Sequence, residues 1–365
     1  LHPMAAEFGR PQWVFGMSTY GFDGTGRIVC RVSRQGRDSL AVVDPDTGTL
    51  QPIATPFCAI DELRVGDDHA VFLGATETAA QAVVRLDLRT LAHRVLRSST
   101  TAAVDRAWIS RAEAIEFPTE GERTAHAFYY APANPDHHGP TGSRPPLIVV
   151  SHGGPTGAAD ASFKLPYQYW TSRGFAIVDV NYGGSSGYGR AYRERLDGRW
   201  GIVDVDDAIA AARFLVARGD VDGERLIARG ASAGGYTTLA ALTFRRFFKA
   251  GASHFGIGDL EALVRDTHKF ESRYLDTLIG PYPSPIYRER SPIHHTERLS
   301  SPMILLQGAE DKAVPPEQAA SMYAAVKAKG LPVAYLLFEG EQHGFRRADT
   351  IRRALEAELY FYGRV

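Results

Sequence analysis

The sequence has few cysteines, no long apolar run and no excess of charge of either sign. Its two cysteines, Cys30 and Cys58, cannot provide a disulfide framework for 365 residues, and we expect both to be reduced thiols. No apolar stretch approaches the roughly 18 to 20 residues that cross a bilayer. The first residues lack the charged and then apolar pattern of a signal peptide. We therefore predict a cytoplasmic location and no membrane partner.

Charge and motif content exclude further classes of function. The 41 cationic and 42 anionic residues are interspersed, so no basic stripe is available to neutralise a run of phosphates, and nucleic acid is not an expected partner. The metal-binding pattern His-Glu-x-x-His is absent, as are phosphate-loop and dinucleotide motifs. The sequence thus predicts no metal and no cofactor, and it is compatible with a homo-oligomer.

The amino-terminal part reads as short β-strands. From Gly26 to about Arg97, alternating apolar and polar residues are separated by turn residues, and similar units recur at roughly 43 residues, close to a propeller blade. We predict that residues 1–110 form the last blades of a β-propeller. Two blades cannot close a ring. Either the chain therefore belongs to a longer protein, or these strands form a small sheet and the repeat is coincidental.

The remainder, which we predict as an α/β domain spanning residues 111–365, alternates buried strands with helices, as a mostly parallel sheet requires. A helix is expected from Val203 to Ala217. Its early aspartates, Asp204, Asp206 and Asp207, are expected as caps or surface residues rather than as a catalytic pair. The predicted buried strands are Leu147–Val150, Phe175–Val178, Arg225–Ala228, Pro302–Leu306 and Val333–Phe338.

Two serines lie at the spacing Gly-x-Ser-x-Gly, which is typical of the sharp strand-to-helix turn that exposes a nucleophile. They are Ser185 in Gly183–Gly187 and Ser232 in Gly230–Gly234. Ser232 alone follows a predicted strand, has small neighbours and precedes a predicted helix, Tyr236–Phe244. Ser232 is therefore the predicted nucleophile, and the fold class is an α/β-hydrolase catalytic domain preceded by part of a β-propeller.

A serine nucleophile needs a base and an acid that orients the base, and both should follow it in chain order. His343 and Asp311 each come after a predicted strand, at the same edge of the sheet as Ser232. Glu310 is the alternative to Asp311. Ser232, His343 and Asp311 are thus the predicted catalytic triad.

Acyl transfer also requires hydrogen-bond donors for the developing oxyanion. The backbone N–H of Ala233, directly after the nucleophile, is the first expected donor. The second is expected from the glycine-containing loop Ser151–Pro155, which follows an early strand.

Six motifs occur in the chain in the order in which one peptidase family carries them. Together they resemble the prolyl oligopeptidase family of serine peptidases, especially its acylaminoacyl-peptidase and aminopeptidase-like bacterial branch. The resemblance implies that Gly154 is the second oxyanion donor, and that propeller residues absent from this chain filter substrates by size. The motifs are His152-Gly153-Gly154-Pro155, Asn181–Gly189, Arg199-Trp200-Gly201, Gly230–Gly235, Asp311 with Val314-Pro315, and His343-Gly344-Phe345.

One position departs from the family pattern. Ala313 stands where many oligopeptidases of the family have an arginine that holds a substrate carbonyl. We therefore expect cleavage after one amino-terminal residue rather than proline-specific endopeptidase activity. Asp259 and Glu261 are candidates for binding the substrate ammonium; the alternative is that they cap a helix from Leu260 to His268.

The sequence thus predicts a serine exopeptidase that hydrolyses the amide bond after a free or acylated amino-terminal residue, through an acyl-enzyme at Ser232. Its expected substrates are short peptides or aminoacyl amides. A carboxylesterase or a small-molecule amide hydrolase, for example one that inactivates an aminoacylated antibiotic, is the alternative, because one triad serves esters and amides. An inactive binding protein with the same fold is the third hypothesis.

Overall fold

The computed structural model describes residues 1–13, 15–267 and 269–365, without the side chain of residue 270. Within these ranges two small antiparallel sheets precede an eight-stranded mixed sheet that is covered by helices. Among the described residues, no helix is long and apolar enough to cross a membrane.

Each small sheet is a meander in which consecutive strands pair antiparallel. The 43-residue repeat corresponds to the same hairpin in both sheets, because the turn carboxylates of Asp44 and Asp87 each accept backbone N–H groups two and three residues later. The two sheets share an apolar cluster that includes Leu40 and Leu86. The strands are β1 Tyr20–Phe22, β2 Ile28–Arg34, β3 Arg37–Val43, β4 Leu50–Ile53, β5 Ala59–Val65, β6 His69–Ala75, β7 Ala82–Asp87 and β8 His93–Ser98.

The large sheet has the order β16-β15-β14-β13-β11-β12-β10-β9. Strands β11 to β16 run parallel, whereas β9 and β10 extend the sheet antiparallel beside β12. This mixed sheet agrees with the predicted α/β-hydrolase class. The predicted strand Val333–Phe338 occurs with the predicted bounds, and the other four predicted strands occur with their ends shifted by a few residues. The strands are β9 Glu113–Thr119, β10 Arg123–Tyr130, β11 Leu147–Ser151, β12 Ala176–Asn181, β13 Leu226–Ala231, β14 Ala250–His254, β15 Met303–Gly308 and β16 Val333–Phe338.

Helices cover both faces of the large sheet. Alternate residues of β11 point to opposite faces of the sheet. Leu147 and Val149 pack in the apolar cluster that contains α3 and α4. Ile148 and Val150 pack with α1 on the other face. Central strands are therefore apolar on both sides, as the sequence predicted. The helices are α1 Leu165–Thr171, α2 Arg190–Arg193, α3 Val203–Arg218, α4 Ala233–Phe244, α5 Leu260–Asp266, α6 Tyr274–Leu278, α7 Pro285–Glu289, α8 Pro316–Ala328 and α9 Ala348–Tyr362.

The first thirteen residues connect the first small sheet with the large domain. Phe8 packs beside the apolar cluster of the first sheet, and Glu7 forms a β-bridge with Ser33. The Glu7 carboxylate also accepts hydrogen bonds from the Gly187 N–H and from Arg193. This segment thereby reaches the edge of the large sheet at which β11, β13, β15 and β16 end.

Candidate active site

Ser232 lies in the turn between β13 and α4, with φ 57° and ψ −120°. A residue other than glycine at positive φ costs about 1–3 kcal/mol, and such strain is concentrated at functional sites. The turn is held because the Ser232 N–H donates to the carbonyl of His254 at 2.9 Å, and its carbonyl accepts from the Tyr236 N–H at 3.0 Å.

The glycines that flank Ser232 are required by close backbone contacts. A Cβ on Gly230 would lie 2.1 Å from the carbonyl oxygen of Gly234, and a Cβ on Gly234 would lie 1.9 Å from the carbonyl oxygen of Ser151. The small residues that distinguished Ser232 in the sequence therefore allow β13, α4 and the end of β11 to approach one another at this turn.

A hydrogen-bonded chain joins Ser232, His343 and Asp311. The Nε2 atom of His343 lies 2.9 Å from the Ser232 Oγ, and its Nδ1 lies 2.8 Å from the Asp311 Oδ2. The structure thus brings together the three predicted triad residues, although 111 residues separate Ser232 from His343. The ring of Phe255 lies against the His343 imidazole, with centroids 4.8 Å apart, and restricts its orientation.

The Asp311 side chain is fully buried, whereas that of His343 is 30% exposed. Asp311 Oδ1 accepts the N–H groups of Ala313 and Val314 at 2.9 Å, and Oδ2 accepts from Gln307 Nε2 at 3.1 Å. These donors fix the carboxylate toward His343. The alternative acid, Glu310, is exposed.

The two predicted oxyanion donors lie beside the nucleophile. Gly154 and Ala233 line the same cavity as Ser232. Ala233 is the first residue of α4, where backbone N–H groups have no partner within the helix. Gly154 has φ +118°, and a Cβ there would lie 2.7 Å from the Trp13 indole. Both residues thus lie beside Ser232, and their role as oxyanion donors stays a prediction.

The cavity beside Ser232 has a volume of about 280 Å³. Most of its wall is apolar. Trp200 lines the cavity, and its buried indole N–H has no hydrogen-bond partner among the described residues. Tyr274 contributes a phenol whose pKa is raised to about 12 by burial. The larger apolar lining residues are Trp13, Trp200, Ile257, Leu263, Leu275 and Val314.

Neither candidate ammonium ligand lines this cavity. Asp259 accepts the N–H groups of Glu261 and Ala262 and so caps α5, the alternative that the sequence left open. The helix ends at Asp266, and residue 268, where its end was predicted, lies outside the described residues. The placement of Asp259 and Glu261 at the substrate cavity was therefore wrong.

Sequence reasoning missed two residues that do line the cavity, Glu271 and Trp13. Glu271 follows α5 in a short 3₁₀ turn, Lys269–Glu271, and Trp13 comes from the amino-terminal segment. Neither belongs to a recognisable motif. Only the folding of distant segments onto the sheet edge brings them to Ser232.

One group of side chains in the described part of the chain has the composition of a metal site. Ligand atoms of Asp259, Glu261 and His294 lie within 4.8 Å of one another. None of these residues lines the cavity beside Ser232.

Comparison with known proteins agrees with this geometry. The model of the prolyl oligopeptidase family matches residues 161–365, which is more than half of the chain. The chain belongs to the prolyl oligopeptidase family. The resemblance inferred from the six motifs is thus confirmed.

Solved structures of this family include near neighbours. A puromycin-hydrolysing peptidase of Mycobacterium tuberculosis is 45% identical, with a TM-score of 0.96, and a puromycin hydrolase is 42% identical, with a TM-score of 0.95; each match covers 100% of this chain and 56% of the other. The dipeptidyl aminopeptidase BIII of Pseudoxanthomonas mexicana is 28% identical over 65% of this chain and 36% of its own length. The chain therefore spans about half or less of the length of these relatives.

The family motif Asn181–Gly189 supports the loop that carries Gly154. The Tyr182 hydroxyl donates to the carbonyls of His152 and Pro155 at 3.1 and 2.9 Å. The His152 ring stacks on Tyr182, and its Nε2 lies 2.7 Å from the Ser185 Oγ. Burial lowers the pKa of His152 to about 4. Ser185 is fully buried and contacts His152, so the second Gly-x-Ser-x-Gly match has a structural role.

The family motif Arg199-Trp200-Gly201 is anchored by α3. Asp204, fully buried, accepts from the Gly201 N–H at 2.6 Å and from the Thr237 hydroxyl. Asp207, also buried, accepts from the Gly183 N–H at 2.7 Å. The expected surface positions of these two aspartates were therefore wrong, because both bind backbone groups of neighbouring loops. Burial raises the pKa of Asp204 to about 6.

Proposed function

We propose that the protein is a serine exopeptidase that hydrolyses the amide bond after the amino-terminal residue of short peptides or aminoacyl amides. The observation that carries this proposal is the Ser232–His343–Asp311 hydrogen-bonded chain at the wall of a small, mostly apolar cavity. The relatives, whose names describe peptidases and puromycin hydrolases, support the same class of reaction.

The proposed reaction proceeds through an acyl-enzyme. His343 Nε2 accepts the Ser232 hydroxyl proton as Oγ attacks the substrate carbonyl carbon, and the N–H groups of Gly154 and Ala233 bind the oxyanion. His343 then donates that proton to the leaving amine as the amide bond breaks. A water molecule, deprotonated by His343, attacks the acyl group and releases it, and Ser232 regains its proton. Asp311 keeps the Nδ1 proton of His343 in place throughout.

The size of the cavity favours cleavage near a chain end. Its volume of about 280 Å³ lies at the lower limit of small-ligand pockets, which span roughly 300–1,000 Å³. This size favours one residue on the acyl side over a peptide segment. In many oligopeptidases of the family an arginine holds a substrate carbonyl, and Ala313 occupies that position here. No arginine or lysine is found among the described residues that line the cavity, so no other cationic side chain replaces that arginine there.

Hydrolysis of a small aminoacyl amide is the second candidate, and the similarity to two puromycin hydrolases favours it. Both candidates use the same acyl-enzyme. They differ in the leaving group, which is a peptide in one case and the amine of a small molecule in the other.

Hydrolysis assays on the full-length natural protein test these proposals. The panel comprises aminoacyl, N-acetyl-aminoacyl and dipeptidyl anilides, puromycin and a simple ester. We expect turnover of aminoacyl anilides and its loss in Ser232→Ala. Turnover of the ester alone, or an active Ser232→Ala variant, would refute the peptidase proposal.

Covalent labelling with a fluorophosphonate separates the two Gly-x-Ser-x-Gly serines. The label should be absent from Ser232→Ala and present in a folded Ser185→Ala variant, because Ser185 is buried behind the Gly154 loop. Failure of the folded wild type to react would instead favour the inactive binding protein.

We further propose that β1–β4 and β5–β8 are blades of a β-propeller and that the boundary to the catalytic domain lies near residue 110. The repeated meander and hairpin support this proposal. A cytoplasmic location and assembly into a homo-oligomer also stay proposals. Size-exclusion chromatography with light scattering on the full-length protein would determine its oligomeric state.

A further inference from the structure

Gln307 is a fully buried amide side chain near the end of β15, beside the acid of the triad. We propose that Gln307 is a positioning residue that holds Asp311 and extends activity toward acidic pH, because it competes with His343 for the Asp311 carboxylate. This inference rests on the proposed acyl-enzyme mechanism. It assigns a residue that acts through Asp311 rather than on the substrate.

The orientation of the Gln307 amide follows from the groups that surround it. Its nitrogen lies 3.1 Å from Asp311 Oδ2, 3.1 Å from the carbonyl oxygen of Val314 and 3.2 Å from that of Gly308. An ionised carboxylate and a backbone carbonyl can only accept hydrogen bonds. The amide must therefore present its NH2 group here, because its oxygen would face three acceptors.

The oxygen of the same amide is buried and has no hydrogen-bond partner among the described residues. Such an atom lowers the stability of a folded protein, since it loses its hydration without replacement. A methionine would occupy a similar volume without a buried unpaired oxygen. The presence of Gln307 is therefore better explained by its NH2 group, which contacts Asp311, than by packing in the core.

The bond from Gln307 completes the set of donors around the Asp311 carboxylate. Oδ1 accepts the N–H groups of Ala313 and Val314. Oδ2 accepts from Gln307 and from His343. A carboxylate has about four acceptor positions, so all of them are used. Donation by Gln307 reduces the negative charge on the oxygen that it shares with His343, and the protonated, inactive imidazole is thereby less favoured.

Several other ionisable side chains surround the triad, and all of them are the same in the wild type and in variants of Gln307. A difference between the pH profiles of these proteins therefore reports on position 307. The side chains are Glu271 and Tyr274, which line the cavity; Glu341, which accepts backbone N–H groups of its own loop; His254, which lies beside Glu358; and the exposed Glu310 and Lys312.

The pH dependence of two reactions at Ser232 tests the inference on the full-length protein. One is hydrolysis of phenylalanyl p-nitroanilide, measured as kcat/KM. The other is the rate of labelling by a fluorophosphonate, which does not depend on the peptide that the site prefers. The variants are Gln307→Met and Gln307→Leu, which both lack the donor and keep an apolar side chain of similar size.

Gln168→Met is the matched control. Gln168 is a buried glutamine of α1, and its amide oxygen and nitrogen are both bonded to the backbone of Ser110. It does not line the cavity beside Ser232. This variant therefore measures the effect of losing a buried amide that has only a structural role.

We expect the acidic limb of both profiles to move to higher pH by roughly half a pH unit in both Gln307 variants, because Asp311 Oδ2 then attracts the protonated imidazole more strongly. On the plateau above this limb, the rates should fall by less than about 10-fold, since two backbone N–H groups still hold Asp311. Gln168→Met should keep the wild-type pH profile even where it lowers stability.

The outcomes separate the two levels of the proposal. If the wild type is neither labelled nor active on the anilide, the proposed function fails. If the wild type reacts and the Gln307 variants keep its pH profile, the role of Gln307 is refuted while the peptidase proposal stands. A loss of stability with an unchanged profile, as in the control, would equally refute it. Gln307→Leu decides the question if Gln307→Met does not fold.

Discussion

At the scale of single residues, the hydrogen bonds that join Ser232, His343 and Asp311 predict strongly non-additive effects of mutation on kcat. Ser232→Ala and His343→Ala should each lower kcat by roughly 10⁴- to 10⁶-fold, and the double variant should lose little more, because the two residues act as one unit. Asp311→Asn should cost about 10⁴-fold, since an amide no longer fixes the Nδ1 proton. Single-turnover kinetics on an aminoacyl anilide measures these losses.

Glu310→Gln is the matched control for Asp311→Asn, because Glu310 is the exposed acidic neighbour. It should retain wild-type kcat. A large loss in Glu310→Gln with an active Asp311→Asn would reverse the assignment of the acid.

His152 provides a prediction about the pH dependence of stability. Burial lowers its folded-state pKa to about 4, so between about pH 6.5 and 4 the unfolded chain binds a proton that the folded protein excludes. The contribution of His152 to stability is therefore present above pH 6.5 and is lost as the pH falls. Removing the imidazole should make stability less sensitive to pH by about 2 kcal/mol between pH 7 and 5.

Urea unfolding of the wild type and His152→Gln at the two pH values measures this difference. His137→Gln is the control, because His137 is exposed. An unchanged pH dependence in His152→Gln would show that His152 takes up its proton equally in the folded and unfolded states.

The residues that could be predicted from sequence are those with a local signature. Ser232, Asp311 and His343 each follow a recognisable strand, and parallel strands bring their carboxyl ends to one edge. Glu271 and Trp13 have no such signature. Their position at the cavity depends on how the segment after α5 and the amino-terminal segment pack, which periodicity does not specify.

At the scale of elements, the support of the Gly154 loop predicts a kinetic effect without contact to substrate. Tyr182→Phe removes the hydroxyl that donates to the carbonyls of His152 and Pro155. The loop should then hold the Gly154 N–H less accurately where the oxyanion forms. We expect kcat to fall by roughly 10-fold with little change in KM, because the lost interaction stabilises the transition state.

Steady-state kinetics of Tyr182→Phe and Tyr192→Phe tests this effect. Tyr192 is also buried, but its hydroxyl donates to the carbonyl of Asn181 in β12 rather than to the Gly154 loop. It should lose stability without the selective fall in kcat. Equal kcat values for the two variants would contradict the positioning role of Tyr182.

The carboxy-terminal helix α9 is joined to the sheet by a buried charge network. Glu358, fully buried, accepts from Arg229 Nε at 2.8 Å and lies 2.8 Å from His254 Nε2. Although burial raises it, the pKa of Glu358 is held well below its usual range by Arg229 and His254. Its contribution to stability is thus present at neutral pH and is lost as the pH falls.

Glu358→Gln should therefore lower the free energy of unfolding by about 3–5 kcal/mol at pH 7, because Arg229 becomes a buried charge without a full counter-charge. Glu356→Gln, on the exposed side of α9, should change it by less than about 0.5 kcal/mol. Denaturant unfolding compares the two variants. Similar stabilities would mean that the network contributes no net stabilisation.

Elements were predictable where one hydrophobic period dominates. The first residues of β11, β13 and β15 are apolar on both faces, and α3 shows a helical pattern, so the positions of these elements followed from the sequence. The burial of Asp204 and Asp207 could not be inferred, because their partners, the N–H groups of Gly201 and Gly183, lie in loops whose approach to α3 is a tertiary property.

At the scale of the whole molecule, the cavity is assembled from parts that are far apart in sequence. Trp13 arrives from the segment that leaves the first small sheet, Glu271 from the turn after α5, and Ser232 from the centre of the large sheet. We therefore expect substrate binding to depend on how the amino-terminal region is attached to the large domain, to which Glu7 provides polar contacts.

Glu7→Ala removes the bonds to Arg193 and to the Gly187 N–H, and it should release the segment that carries Trp13. We expect a several-fold higher KM for phenylalanyl anilide, as in Trp13→Ala, and faster proteolysis within residues 8–13. The rate on a small acetate ester, which does not extend to Trp13, should change little. Glu77→Ala is the control, because Glu77 pairs with Arg37 and not with this segment. If Trp13→Ala raises KM and Glu7→Ala does not, other contacts, such as the packing of Phe8 on the first sheet or the Arg10–Asp61 ion pair, hold the segment instead.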